Sequence, residues 1–210
     1  NFSKKKRNVR TGPRVTLESL LQEAPANFTL RLVLEQVMTI YDPFGLLAPF
    51  LLHAKILLRK IWALKLKWDE PISAEMRTEW LASFRQVLEA EKLRFPRRLK
   101  PLNALGSPAL IILSDGSDVA YGCAAYTHWT LDDGTCWARL IAAKCRIAPI
   151  QKVSTPRMEL NGALTSTRIR KVIEAECRFK FERVVQLVDS QTVLQQIHSV
   201  STRFKVYEGV

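Results

Sequence analysis

Apolar residues recur at helical spacing through the first half of the chain and at strand spacing through the second. From Leu30 they fall at Val33, Leu34, Val37, Met38 and Tyr41, the i, i+3, i+4, i+7, i+8 stripe of an amphipathic helix. Asp42-Pro43-Phe44-Gly45 ends it, because proline restricts Asp42 to extended backbone and Gly45 relaxes the turn. A second helix starts near Pro49 and carries Leu52, Ile56, Leu57, Lys60 and Ile61 to a break at Trp68-Asp69-Glu70-Pro71. Ser73 caps a third, with Glu75 in its first turn and Met76, Trp80, Phe84, Val87 and Leu88 along its face. Aromatic residues at helical spacing usually pack a core, so Trp62, Trp80 and Phe84 are expected inside.

Beyond Phe95-Pro96-Arg97-Arg98 the period becomes strand-like. Ala109-Leu110-Ile111-Ile112-Leu113 reads as a strand buried on both faces, ending at Ser114-Asp115-Gly116-Ser117. A second strand follows from Ala120, and Asp133-Gly134 signals a hairpin into a third through Trp137, Arg139, Ile141 and Ala143. Thr155-Pro156 reads as an N-cap with proline at the first helical position, opening a helix through Met158, Leu160, Leu164, Ile169, Val172 and Ile173. Val184-Val185-Gln186-Leu187-Val188 is a last strand, with a helix through Val193, Leu194 and Ile197 behind it. The expected organisation is a basic arm (1–27), a helical module (28–94), a linker (95–108) and a sheet domain (109–210), an α+β or α/β chain.

With 210 residues and 47% hydrophobic content the chain can bury a proper core, which excludes a disordered tail or a disulfide mini-protein. Lys and Arg number 32 against 20 Asp and Glu, a net charge of +12, so polyanions are the favoured partners. Half of the excess lies in residues 1–14, where Lys4-Lys5-Lys6-Arg7, Arg10 and Arg14 meet no acid. Four Cys without C-x-x-C spacing, and three His that complete no zinc pattern, fit a reduced, intracellular protein. Cys123, Cys136 and Cys145 are expected to pack as small hydrophobes. Apolar runs fall short of a membrane span, and no signal peptide begins the chain. Without an initiator Met or a terminal stop signal, it reads as an internal piece of a longer protein.

Two apolar strands each end in an acid, Asp115 and Asp189, and Glu159 is expected in the first turn of the intervening helix. Carboxylates at strand ends suit a hard divalent cation, because the strands fix oxygen positions while the sheet end stays open. A helix dipole alone would explain a Glu in a first turn, so each acid singly also reads as a solvated or capping group. Asp118 is explained by turn chemistry, and His198 reads as an ordinary helix residue. Lys144, Arg146 and Arg157 belong to a basic set that would make salt-sensitive phosphate contacts.

Ser114-Asp115-Gly116-Ser117, Leu140-Ile141-Ala142-Ala143-Lys144-Cys145-Arg146-Ile147-Ala148-Pro149 and Thr155-Pro156-Arg157-Met158-Glu159-Leu160 closely resemble the ribonuclease-H-like region of BEL/Pao retrotransposon polyproteins, also called the Pao retrotransposon peptidase family. Ile40-Tyr41-Asp42-Pro43-Phe44-Gly45-Leu46-Leu47-Ala48-Pro49 and Trp68-Asp69-Glu70-Pro71-Ile72 look like the helical segment after the reverse transcriptase in the same elements. The resemblance implies a mixed ribonuclease-H-like sheet with helices, incomplete at its C-terminal end. It also implies hydrolysis of RNA in RNA–DNA hybrids with two Mg²⁺ ions, or Mn²⁺. Asp115 would bridge both ions, Glu159 and Asp189 would hold one, and a fourth acidic ligand would follow on a later helix. After Asp189 the only acid is Glu208, which does not suit that role, so weak or no cleavage is expected of these 210 residues alone. Implied partners are the hybrid and the rest of the Pol polyprotein, including reverse transcriptase and integrase, in a cytoplasmic particle and the nucleus. Aspartic peptidase chemistry is not expected, since Asp115-Gly116-Ser117 and Asp189-Ser190-Gln191 lack the Asp-Ser/Thr-Gly order. The alternatives are an inactive relic that binds nucleic acid without cutting it, and a basic protein-interaction segment.

Overall fold

The computed structural model describes residues 28–90 and 92–198; the basic 1–14 run and Glu208 lie outside the described residues. Three helices come first, α1 (Leu30–Met38), α2 (Ala48–Ala63) and α3 (Ala74–Ala90). Strands β1 (Ala104–Gly116), β2 (Ala120–Leu131) and β3 (Cys136–Ile147), helix α4 (Thr155–Glu176), strand β4 (Arg183–Val188) and helix α5 (Gln191–His198) follow. The sheet order is β3-β2-β1-β4, antiparallel except for the parallel β1–β4 pair. This is the mixed α+β arrangement expected from the sequence.

The helices form their own core of Phe28, Leu30, Val33, Val37, Ala54, Leu57, Ile61, Ile72, Trp80 and Phe84. Thr29 caps α1 through Leu32 N–H, and Ser73 Oγ accepts from Met76 N–H at the start of α3. In the middle of this core the Trp80 indole N–H donates to Gln36 Oε1 at 2.7 Å, which satisfies two buried polar groups with one bond. Two expectations change here. The buried face of α2 is Leu51, Ala54, Leu57 and Ile61, so Leu52 and Ile56 are only half-buried. Trp62 is 47% exposed rather than packed in the core, because it sits one position past the buried Ile61 and meets Trp68 outside.

A second core lies between the sheet and α4: Leu110, Ile112, Cys123, Ala125 and Ile173, flanked by Ile141, Ile169, Phe181 and Val184. Strand β1 begins at Ala104, within the stretch read as a linker, because Ala104 and Leu105 pair with Leu131 and Thr130 before a register shift ahead of Ala109. The expectation that 109–113 is buried on both faces does not hold: α4 covers Leu110 and Ile112, whereas Leu113 is 45% exposed on the other face. Cys123 is buried, but Cys136 is exposed at the start of the edge strand.

The helices dock on the outer edge of β3. Ala143 N–H donates to Phe44 O at 2.8 Å, and Gly45 there has φ +70°, with no room for a Cβ against Ala143 O. A free strand edge is thereby given a backbone partner. Asp42 holds the turn by accepting from Leu46 and Leu47 N–H, both at 2.9 Å. Arg59 Nη1 completes the docking with a bond to Ala148 O at 2.6 Å. No helix among the described residues is long and apolar enough to cross a membrane.

Candidate nuclease site

Asp115 is the next-to-last residue of β1, and Asp189 directly follows β4. The last parallel pair is Ser114 with Val188, so the two carboxylates occupy neighbouring positions at the ends of adjacent strands, in a sheet whose strands lie about 4.8 Å apart. Both are exposed and both line one depression of about 600 Å³, with Leu113, Tyr121, Gly122 and Cys145 on its floor and Leu52 of α2 at its side. Asp115 Oδ1 accepts the N–H of Gly116 at 2.6 Å, which ties its carboxylate to its own turn. Ser190 Oγ accepts from Val193 N–H at 3.3 Å and so opens α5 directly after Asp189.

Glu159 reaches the same region through backbone packing. A Cβ on Gly116 would overlap the backbone of Met158 and Glu159, and one on Gly162 would lie 2.7 Å from Asp115 O. Two glycines therefore let α4 rest directly on the end of β1. Sequence reasoning missed Gly162, although a glycine inside a helix costs about 1 kcal/mol against alanine and is itself a signal of close approach.

Helix α4 begins one residue earlier than the sequence pattern implies. Ser154 is its N-cap, and the Thr155 hydroxyl donates to Asp118 Oδ1 at 2.7 Å instead of capping the helix. Asp118 thus ties the β1–β2 turn to the start of α4, a role beyond turn chemistry. Glu159 is then the fifth helical residue and lies outside the first turn. The helix dipole, whose effect fades within the first turn, does not account for it.

All three acids offer hard oxygen donors, the kind Mg²⁺ or Mn²⁺ takes, and the backbone contact brings the Glu159 segment against Asp115. As the side chains stand, no group of three or more His, Cys, Asp or Glu among the described residues converges to hold a metal ion. The fit is therefore in donor chemistry and backbone placement, with Asp115 and Asp189 sharing a depression on the face of the sheet away from α4, and Glu159 on α4 against the end of β1.

The basic residues divide. Lys144 and Arg146 flank Cys145 on β3; Cys145 shares the Asp115 face through Gly122, so strand alternation turns Lys144 and Arg146 to the α4 face. They border a larger cleft, about 1040 Å³, between α4 and the docked helices, where Arg168 also lies. Arg157 is exposed in the first turn of α4, and His198 is the exposed last residue of α5. Burial pushes the Cys123 thiol up to about 11 and raises Cys145 and Cys177, which leaves these sulfurs poor nucleophiles.

No curated protein matches the sequence. Residues 29–190 match the family model described as Pao retrotransposon-like RNaseH-like domain, a span that takes in the docked helices as well as the sheet. The chain belongs to the Pao retrotransposon-like RNaseH-like domain family.

Proposed function

We propose that this domain is the ribonuclease-H-type nuclease of its retrotransposon polyprotein, cutting the RNA strand of RNA–DNA hybrids made during reverse transcription. The observation that carries the reading is the position of Asp115 and Asp189, each one residue past the last pair of two adjacent parallel strands and both lining one depression. Two divalent cations, when bound, supply an activated water and offset charge on the leaving oxygen. Asp115, Asp189 and Glu159 are the residues that would hold them, with Asp115 the ligand that both would share. For this the Glu159 side chain must turn toward Asp115, while the Gly116 contact fixes its backbone. Lys144, Arg146 and Arg157 contribute sequence-independent phosphate contacts, and the hybrid is recognised by shape and 2′-hydroxyls. The reverse transcriptase and integrase of the same polyprotein are the proposed covalent neighbours, in a cytoplasmic particle that delivers DNA to the nucleus.

The test is cleavage of a labelled hybrid with Mg²⁺ or Mn²⁺ by the chain, by a chain extended with the next stretch of reading frame and by that extended chain carrying Asp115→Asn. Cutting by the extended chain, lost with Asp115→Asn, supports the nuclease and a further acidic ligand downstream. A second reading, a hybrid-binding module without catalysis, draws on the absence of three converging carboxylates among the described residues. Metal-independent hybrid binding with no cleavage by any of the three proteins would favour it.

A further inference from the structure

We propose that Trp62 and Trp68 form a stacking platform for a single-stranded stretch of nucleic acid beside the carboxylate end of the sheet. The stacking itself needs no cation; only the direction of the strand, running off the Asp115 end, rests on the nuclease reading. Both tryptophans are well exposed, at 47% and 43%, although the first directly follows the buried Ile61. Their ring centroids are 5.4 Å apart at 81°, an edge-to-face arrangement in which the two rings do not stack face on face. The Trp68 loop is held in place: Arg31 N–H donates to Trp68 O, the Arg31 guanidinium pairs with both oxygens of Asp69 at 2.8 and 3.0 Å, and its carbon lies 5.8 Å over the Trp68 ring. Two large, partly exposed aromatic surfaces thus stand at the protein surface, in ring contact with each other and, for Trp68, with Arg31.

The surrounding charge indicates the partner. Residues 48–68 contain Lys55, Arg59, Lys60, Lys65 and Lys67 and no acid; Asp69 and Glu70 follow, Asp69 paired with Arg31 and Glu70 accepting the backbone N–H of Lys67. Lys60 reaches Glu79 at 3.2 Å, an exposed pair that salt and water weaken. A protein surface would match the apolar rings and a duplex would match the cations, but a duplex keeps its base faces stacked on each other. Unpaired bases on a phosphate backbone match both, because every base has a face to stack and a charge alongside.

Position supports the same partner. Arg59 is bonded to Ala148 O, and Ala148 N–H donates to Val119 O at 2.8 Å, four residues along from Asp115. The last turn of α2 therefore adjoins the end of the sheet where the carboxylates emerge. A depression of about 500 Å³ between Trp62, Lys55, Ile147 and Pro149 lies along this junction.

Binding of a short labelled oligodeoxythymidine, measured by anisotropy and tryptophan quenching in EDTA, tests the proposal on the whole chain. The basic N-terminal arm is common to every variant and does not affect the comparison. Trp62→Ala/Trp68→Ala should weaken binding about tenfold or more, and Trp62→Phe/Trp68→Phe should retain most of it. An abasic oligomer of equal length should bind the unmodified chain as weakly as the thymidine oligomer binds the alanine variant. Equal binding by the folded alanine variant, or equal binding of the abasic oligomer, overturns the platform. So does self-association that the alanine variant loses without any oligomer binding, which would assign the rings to a protein interface. The oligomer measurement in EDTA needs neither a cation nor cleavage, so the platform and the nuclease reading fail separately.

Discussion

Gly116 and Glu159 are in backbone contact: any side chain at position 116 would overlap the backbone nitrogen of Glu159. The reciprocal approach at Gly162, 2.7 Å from Asp115 O for an added Cβ, makes the end of β1 and the second turn of α4 one rigid unit. An alanine at an exposed helix position would gain about 1 kcal/mol over glycine. Gly162→Ala is nonetheless expected to lower stability by about 1–3 kcal/mol in urea denaturation, because overpacking outweighs propensity. A gain in stability would show that helix and strand separate freely.

Thr155 and Asp118 join the β1–β2 turn to the start of α4 by a single hydroxyl–carboxylate bond of 2.7 Å. Thr155→Val should cost about 0.5–1.5 kcal/mol, and Asp118→Ala in the Thr155→Val background should cost less than in the unmodified chain. Full additivity of the two changes in denaturation midpoints would mean the bond contributes nothing.

The Trp80–Gln36 bond lies in the centre of the helical core. Gln36→Leu leaves the indole N–H buried without an acceptor and should destabilise by about 1–3 kcal/mol. A differential scan that finds the variant as stable as the parent chain would show that water or another acceptor replaces the amide.

The order of elements was legible because each segment carries its own period, helical before residue 95, strand-like through the three hairpin-linked strands, and helical again from residue 155 until β4. Asp115 and Asp189 were legible for the same reason, since an apolar run that ends in an acid marks a strand terminus. Three features were not. Trp62 obeys helical spacing yet faces outward, because spacing fixes a relative angle and the buried face of α2 is centred on Leu57 and Ile61. The early start of β1 was hidden because Leu105, Gly106 and Ser107 are exposed and show no apolar alternation. Docking of the helices on β3 rests on the carbonyl of Phe44 and the amide of Ala143, backbone groups that every residue carries.

The thiols give a pH prediction. Burial raises Cys123 from the ordinary 9.0 to about 11, so its neutral form is favoured in the folded state. Its contribution to stability is complete below the ordinary thiol value and is lost as pH rises through the folded one. Ellman's reagent at pH 8 should therefore modify exposed Cys136 first and Cys123 only after denaturant is added. Rapid native modification of Cys123 would show that the sheet opens locally.

If Asp115, Glu159 and Asp189 act together on divalent cations, Mn²⁺ binding to the chain, followed by the loss of the free-ion electron paramagnetic resonance signal, reports it without requiring turnover. Asp115→Asn and Asp189→Asn should each abolish that binding and Glu159→Gln should weaken it, with circular dichroism unchanged. Undiminished Mn²⁺ binding in folded Asp115→Asn, or no binding in the unmodified chain, would contradict joint action by the three acids.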